Sequence, residues 1–580
     1  MSTASISTPA ACPTTHRSGD RPTAESLSSA ASLVELLLVR LESSFDRPAV
    51  CDALDNGQTW TWGELIAAAI ELADSFSTRG LRRGDRLAHI GPHSSEWIVV
   101  DLACQLAGIV HAPLHADATA REQAAQLAWL APKGIVWSGS GQGRISAGIV
   151  STSIDLRKNS GILRSGLWQR RHADKKSLHD DVTRCVAACD PDACSTILLS
   201  SGTTGRPRGV MHSQRAVLAN ASAAAAVFLN ESNDVRLSWL PMSHSLARTG
   251  DLVTALIRGS CLNVVTDRRR VLDACRVLPP TVVLGVPAFF ERLAQGAESG
   301  RISDLGLALG GRVRVCVSGG AALRERTVEA FVARGVPLVQ GYGLAEAGPV
   351  VTLANPRNAR PGTVGPPLEG VEVKLDTRPC SLGQLLVRTP SRAIGVIGDT
   401  TARPLVGVGI PADRFDPQSV EQPQSDWIET GDLAEIDSAG HVRITGRLVD
   451  TLVLSGGSKV PPAEVEAALA EDPVVAQVCV IGDGLVSPLA LVVPDPKVLR
   501  AAMRRMGVNV LTKRAALRHP RVLKWLGRRL ARRQEQLPRA WQARRAVLIG
   551  RPFDAAHGEA TESLKLKRTT ITEHFHSECS

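Results

Sequence analysis

The stretch of this chain whose residue types most directly imply chemistry is Ser200-Ser201-Gly202-Thr203-Thr204-Gly205-Arg206-Pro207-Arg208-Gly209. The glycines let backbone N–H groups approach an anion, the hydroxyls add donors, and Arg206 and Arg208 add positive charge. The apolar run Ser195-Thr-Ile-Leu-Leu-Ser200 before it predicts a buried strand. A strand that empties into such a loop is suited to holding phosphate. It is not the common P-loop, because no G-x-x-x-x-G-K-[ST] pattern occurs. A polar Gly-rich turn between two strands is the plain alternative.

A second feature sharpens this reading. The chain contains one Tyr, and it is Tyr342, within Gly341-Tyr342-Gly343-Leu344-Ala345-Glu346. Glycines on both sides allow a flat ligand to lie against the ring. The Glu346 carboxylate offers a hard oxygen ligand for Mg²⁺.

Three further segments follow in order: Trp427-Ile-Glu-Thr-Gly-Asp432, Ile444-Thr-Gly-Arg447 and Leu564-Lys565-Leu-Lys-Arg568. Together with the first two they resemble the ordered motifs of the adenylate-forming superfamily of acyl-CoA synthetases, peptide-synthetase adenylation domains and luciferases. The likeness extends over roughly residues 30 to 575, and Thr61-Trp-Gly-Glu-Leu and Arg83-Gly-Asp-Arg-Leu add to it. The resemblance implies a large N-terminal AMP-binding domain over 29–446, a hinge at 447–450 and a small mobile α+β domain over 451–580. It also implies ATP, Mg²⁺ and coenzyme A as cofactors.

Activating a carboxylate with ATP requires that negative charge be shielded, that the nucleotide be held, and that water be kept out. By resemblance, Ser200, Ser201, Gly202, Thr203, Thr204, Gly205 and Arg208 would grip phosphate, and Glu346 would hold Mg²⁺. Lys565 would reach the carboxylate and α-phosphate as a mobile point charge, with membership of a basic tail as its plain alternative. Gly319, Gly320 and Ala321 would wall the adenine pocket together with Gly341, Tyr342 and Gly343. Close helix–sheet packing would equally account for a Gly-Gly pair at a strand end. Asp432 can accept two hydrogen bonds from a ribose diol, with Arg447 beside the ribose or phosphate. A Gly-Asp pair also suits an ordinary turn. Gly456 and Gly457, between Ser455 and Ser458, would line a passage for a pantetheine arm, or form a simple loop.

Leu240-Pro-Met-Ser-His244-Ser-Leu-Ala-Arg248 and the terminal Leu-Lys-Leu-Lys-Arg are similar to segments of long-chain fatty acyl-CoA synthetases. That likeness implies a medium- or long-chain fatty acid as substrate, with His244 beside the acyl carboxylate or simply packed. There are departures. Ala345 stands where the family usually has Thr, as in some fatty acyl-AMP ligases that load an acyl carrier protein. Val449 stands at a pivot position that is commonly Asp or Lys. Carrier-protein loading is therefore one alternative, and a non-catalytic acyl- or nucleotide-binding homologue is another.

The elements that must position these residues are legible as α/β alternation. Trp62–Ala73 has helical spacing, Arg86–Ile90 reads as a strand, and Ser95–Ala107 is helical again. Strands are predicted at 281–286 and 313–317. Such alternation implies a largely parallel sheet flanked by helices. Beyond residue 451 the expectation is a helix at 464–470, strands at 476–482 and 489–493, then basic helices.

A chain of 580 residues exceeds what one core usually serves, so at least two domains are expected. Its composition, 44% hydrophobic and 21% charged, is that of a soluble globular protein. The longest apolar run, 216–229, is too short to span a bilayer and contains Asn220. Residues 1–28 are rich in Ser, Thr, Ala and Pro and predict a disordered tail, with a transit peptide as the alternative. Twelve cysteines without a C-x-x-C pair fit free thiols in a reducing cytoplasm.

The net charge of +10 is concentrated. Between Arg500 and Arg545 there are fifteen Lys or Arg and one acid, Glu535. Solvated helices with Val522, Leu523, Leu526 and Leu530 as the buried stripe would account for this block. So would attraction to a phosphorylated cofactor or to an acidic membrane surface, which would make the protein peripheral there. No nucleic-acid recognition motif is present, so nucleic acid is not an expected partner.

Overall fold

The computed structural model describes residues 30–54, 58–116, 118–138, 152–156, 174–201, 207–228, 232–377, 383–397, 425–456, 458–510, 512–554, 556–560 and 566–575. The expected tail at 1–28, Gly202–Gly205, Gly457 and Lys565 lie outside the described residues.

Two large sheets form the body of the chain. The first has the order Val350–Leu353, Leu338–Gly343, Val315–Ser318, Val282–Gly285, Val235–Ser238, Cys261–Val264, Pro48–Asp52, Gln58–Thr61. Its interior pairs are parallel, and only the two edge pairs are antiparallel. Strands such as Val282–Gly285 and Val315–Ser318 are buried at every position, as a sheet covered on both faces demands. The second sheet runs Gly395–Ile397, Pro207–Ser213, Cys194–Ser201, Val110–Leu114, Arg86–Ile90, Gly134–Trp137, Thr152–Asp155.

Local chemistry sets the helices between them. Trp62–Thr78 begins at a capping box: Thr61 Oγ1 accepts from the Glu64 N–H at 3.1 Å, and Glu64 Oε2 accepts from the Thr61 N–H at 2.8 Å. Ser95–Ala107 is capped by Ser94 and ends at Gly108, whose φ of 65° is left-handed.

Helix Ser95–Ala107 carries a buried polar residue, Asp101, which anchors a network. Arg248 donates to it from Nε at 2.9 Å and from Nη2 at 3.1 Å, a bidentate pair. His111 Nδ1 lies 2.6 Å from the same carboxylate, His89 lies 3.0 Å from His111, and Ser138 lies 2.8 Å from His89. Trp97 stacks on His89 with centroids 5.4 Å apart. Burial alone would raise the Asp101 carboxyl, but the Arg248 charge and the His111 hydrogen bond outweigh it and hold it well below the usual carboxylate range.

This network ties Ser95–Ala107 to the segment after His244. Asp101→Asn should lower the unfolding free energy by about 3 kcal/mol or more, because it leaves the buried Arg248 without its counter-charge. Urea titration of both forms measures this. The sign with pH follows from the depressed carboxyl. Its stabilisation is full above the unfolded value of about 3.9 and is lost as pH falls toward the folded one. The wild-type advantage over Asp101→Asn should therefore shrink only in strong acid.

The chain then forms an antiparallel four-stranded sheet ordered Glu372–Asp376, Gln384–Arg388, Ile428–Ile436, Val442–Arg447. After it come the small hairpin Leu452–Val453 with Lys459–Val460, helix Pro462–Ala470, and a three-stranded sheet of Val475–Ile481, Leu489–Pro494 and Arg545–Leu548. Helices Pro496–Arg505, Lys513–Arg518 and Pro520–Arg533 are inserted between the last two strands. They carry the basic block. Val522, Leu526 and Leu530 form the buried face of the last of them, but Leu523 is 39% exposed, which corrects the expectation. The buried three repeat every fourth residue, and Leu523 falls a quarter-turn away from that line.

Candidate active site

The site is assembled at the carboxyl ends of the first sheet's strands, where open α/β sheets bind ligands. Strand Val315–Ser318 runs into Gly319, Gly320 and Ala321. The Gly319 N–H bonds the Gly285 carbonyl at 3.1 Å, and a Cβ at Gly319 would come within 3.2 Å of Leu246. Gly320 has φ of 82°, and both it and Ala321 are exposed. The adjoining strand Leu338–Gly343 supplies Tyr342. A Cβ at Gly341 would meet Leu353 Cδ1 at 3.0 Å, and one at Gly343 would collide with the Pro349 carbonyl oxygen. The glycines that flank the tyrosine therefore permit backbone approach as well as ligand access.

Tyr342 and Asp432, 90 residues apart, are joined directly: the phenol donates to Asp432 Oδ2 at 2.6 Å. Arg447 Nε lies 3.0 Å from Asp432 Oδ1. Asp432 and Arg447 are register partners on neighbouring antiparallel strands. Thr430 Oγ1 accepts from the Asp432 N–H at 3.0 Å and donates to the Leu385 carbonyl at 2.8 Å, which fixes the carboxylate's backbone. Asp432 is buried, and burial together with its charge pushes the Tyr342 phenol well above its usual value. The result is a buried carboxylate whose two oxygens are already aligned by donors, the arrangement a vicinal diol would meet. Thr430 carried no sequence signal beyond its place in the Thr-Gly-Asp segment.

Glu346 lies on the short turn Ala345–Ala347, and its carbonyl accepts from the Ala393 N–H at 2.9 Å. Its half-buried carboxylate takes no hydrogen bond among the described residues. A hard oxygen donor left open in this way fits Mg²⁺.

The strands on either side of the proposed phosphate loop pair antiparallel, with Ser200 opposite Arg208 and Ser201 opposite Pro207. His244 is exposed at the rim and stacks on His115 with centroids 4.5 Å apart. His115 Nδ1 lies 3.0 Å from Ser243 Oγ. His115 was not a sequence candidate, and only its proximity to His244 in space reveals it. Gly456 is exposed, and a Cβ there would meet nothing within 4 Å, so no close packing requires glycine at that position. Among the described contacts it touches none of the other candidates.

A family model described as AMP-binding enzyme matches residues 39–396, more than half the chain, and its C-terminal domain model matches 449–525. The chain belongs to the AMP-binding enzyme family. Among curated relatives it is 26% identical over 572 residues to the long-chain-fatty-acid–CoA ligase FadD15 of Mycobacterium bovis, covering 89% of this chain and 90% of that one. It is 26% identical to feruloyl-CoA synthase of an Amycolatopsis species, covering 76% and 82%. Among solved structures, the anthranilate CoA ligase AuaEII with anthranoyl-AMP superposes with a TM-score of 0.73 at 19% identity, over 94% of this chain and 97% of that one. The o-succinylbenzoate CoA synthetase of Bacillus subtilis with ATP and magnesium gives 0.68 at 21% identity, over 92% and 98%. The sequence-based assignment to the adenylate-forming fold holds.

Proposed function

We propose that this AMP-binding enzyme activates a medium- or long-chain fatty acid with ATP and then transfers the acyl group to coenzyme A. The observation that carries the reading is the Tyr342–Asp432–Arg447 arrangement beside the Gly319–Ala321 loop. It supplies a diol acceptor and a flat wall in one place. The likeness to FadD15 over most of both chains supports the fatty acid as substrate class, and the aryl relatives make the acid the point most in need of test.

Chemically, a carboxylate oxygen of the acid attacks the α-phosphorus and pyrophosphate departs. The thiol sulfur of CoA, having lost its proton, then attacks the acyl carbonyl, and AMP leaves. Asp432 and Arg447 would orient the ribose, and Tyr342 would present its ring to the base. Glu346 would hold Mg²⁺, which when bound neutralises phosphate charge. Lys565 would stabilise charge on the α-phosphate oxygens. The exposed cations at Arg514, Arg521, Lys524 and Arg528 support contact with an acidic membrane surface, and with it a cytoplasmic enzyme peripheral to that surface.

The purified protein should be given ATP, Mg²⁺ and a panel of alkanoic and aryl acids, with and without CoA, and its products weighed by mass spectrometry. Acyl-CoA formed best from acids of about eight carbons or longer is expected. Preference for an aryl acid would overturn the substrate class. A single acid-dependent burst that CoA does not relieve would favour carrier-protein loading, the alternative that Ala345 raises.

A further inference from the structure

The C-terminal unit rests on the N-terminal body at a point next to the nucleotide wall. Arg324 lies three residues beyond Ala321 and immediately precedes helix Glu325–Val332. Its Nη2 donates to the carbonyl of Ala476, on the first strand of the C-terminal sheet, at 3.2 Å. Its Nε lies 3.6 Å from Glu291 Oε1 on helix Pro287–Glu298. Glu471, at the end of helix Pro462–Ala470, faces the same guanidinium and Arg326. Burial raises the Glu471 carboxyl, and the two arginines oppose that rise.

Arg324 therefore bridges a carboxylate of its own domain and a main-chain carbonyl of the other. A planar guanidinium with several donors suits such a bridge. The peptide that carries it is short and fixed at both ends. Gly319 is bonded to Gly285 at one end, and Leu323 is buried at the other. A base seated against Gly319–Ala321 would bear on the same few residues that aim Arg324.

The other side of the contact shows what this placement does. The Lys567 charge lowers the Glu122 carboxyl, after the Thr119 hydrogen bonds and against burial, and His115 acts on the same group. The end of the C-terminal unit thus lies toward helix Ala120–Leu130, whose Gln123 donates to the His115 carbonyl at 3.1 Å. Arg443 adds a tie near the domain junction, with Nη2 2.7 Å from Glu464.

We infer that Arg324 is a positioning residue for adenylate formation: it couples the nucleotide-facing loop Gly319–Ala321 to the C-terminal unit and holds that unit in the placement seen here. The inference rests on the two-step reading above. Arg324 touches no reacting atom, so its loss should affect the step that needs this placement and spare the other.

The test separates the half-reactions in full-length protein. Adenylate formation is read as pyrophosphate release with hydroxylamine as acyl trap. Thioester formation is read from synthetic dodecanoyl-adenylate and CoA. Arg324→Ala should slow the first roughly tenfold, the rate equivalent of one charge-assisted hydrogen bond, and leave the second within about twofold. Arg324→Lys, which keeps the charge but not the fork, should restore part of the loss. Equal slowing of both steps, or of neither, overturns the inference. If wild-type protein releases no pyrophosphate with any acid, the two-step reading fails instead. X-ray scattering then decides the docking role. Arg324→Ala should enlarge the radius of gyration, and an unchanged profile would overturn it.

Discussion

Lys565→Ala should cut acid-dependent pyrophosphate release by roughly 10²–10³-fold while ATP binding stays within a few-fold of wild type. This is about the loss that follows removal of a single donor to a developing oxyanion. In the proposed transition state a carboxylate would be brought against a triphosphate, so negative charge would have to be shielded. A lysine carried on the C-terminal unit would supply that charge. The reading predicts a split between binding and chemistry. Equilibrium binding of a fluorescent ATP analogue and pyrophosphate release on the same preparations would show it. Release surviving near wild-type rates would assign the charge to another residue, Lys567 first.

Asp432→Asn should raise the KM for ATP about a hundredfold with a smaller fall in kcat. Two charge-assisted hydrogen bonds to a diol at about 1.5 kcal/mol each amount to ~3 kcal/mol, or about a hundredfold in binding. Asn preserves the shape, so the test isolates charge and acceptor count. It also turns an NH₂ toward one of the two donors now held by Asp432, the Tyr342 phenol at 2.6 Å or Arg447 Nε at 3.0 Å. A KM within about threefold of wild type would mean the ribose lies elsewhere, and that Asp432 serves only to join its two strands.

What could be read from the sequence, and what could not, follows a physical line. Elements with a clear period were legible: Arg86–Ile90 and Ser95–Ala107 are found where the apolar pattern put them. Strand Val282–Gly285 lies inside the expected 281–286. The motif residues Tyr342, Asp432 and Arg447 were legible as separate candidates, because each stands beside glycine in a motif: Tyr342 as the chain's single Tyr, and Asp432 and Arg447 by the order of the segments. Their mutual bonding was not, since it depends on one four-stranded sheet folding against the strand that carries Tyr342. Asp101 and Arg248 form their pair across 147 residues, and no local spacing announces such a contact. Leu523 was misassigned because an apolar residue beside a buried stripe looks the same in sequence as one within it. Arg324 was invisible for a similar reason: its partner across the two domains is a main-chain carbonyl, which has no residue type to recognise.

The most direct test of the central claim is the fate of the acid's oxygen. The protein would be incubated with ATP, Mg²⁺, CoA and an alkanoic acid labelled with ¹⁸O in its carboxylate, and the nucleotide product examined by mass spectrometry. Activation through an acyl-adenylate predicts one labelled oxygen in AMP and none in pyrophosphate. Unlabelled AMP, or ADP as the product, would contradict it.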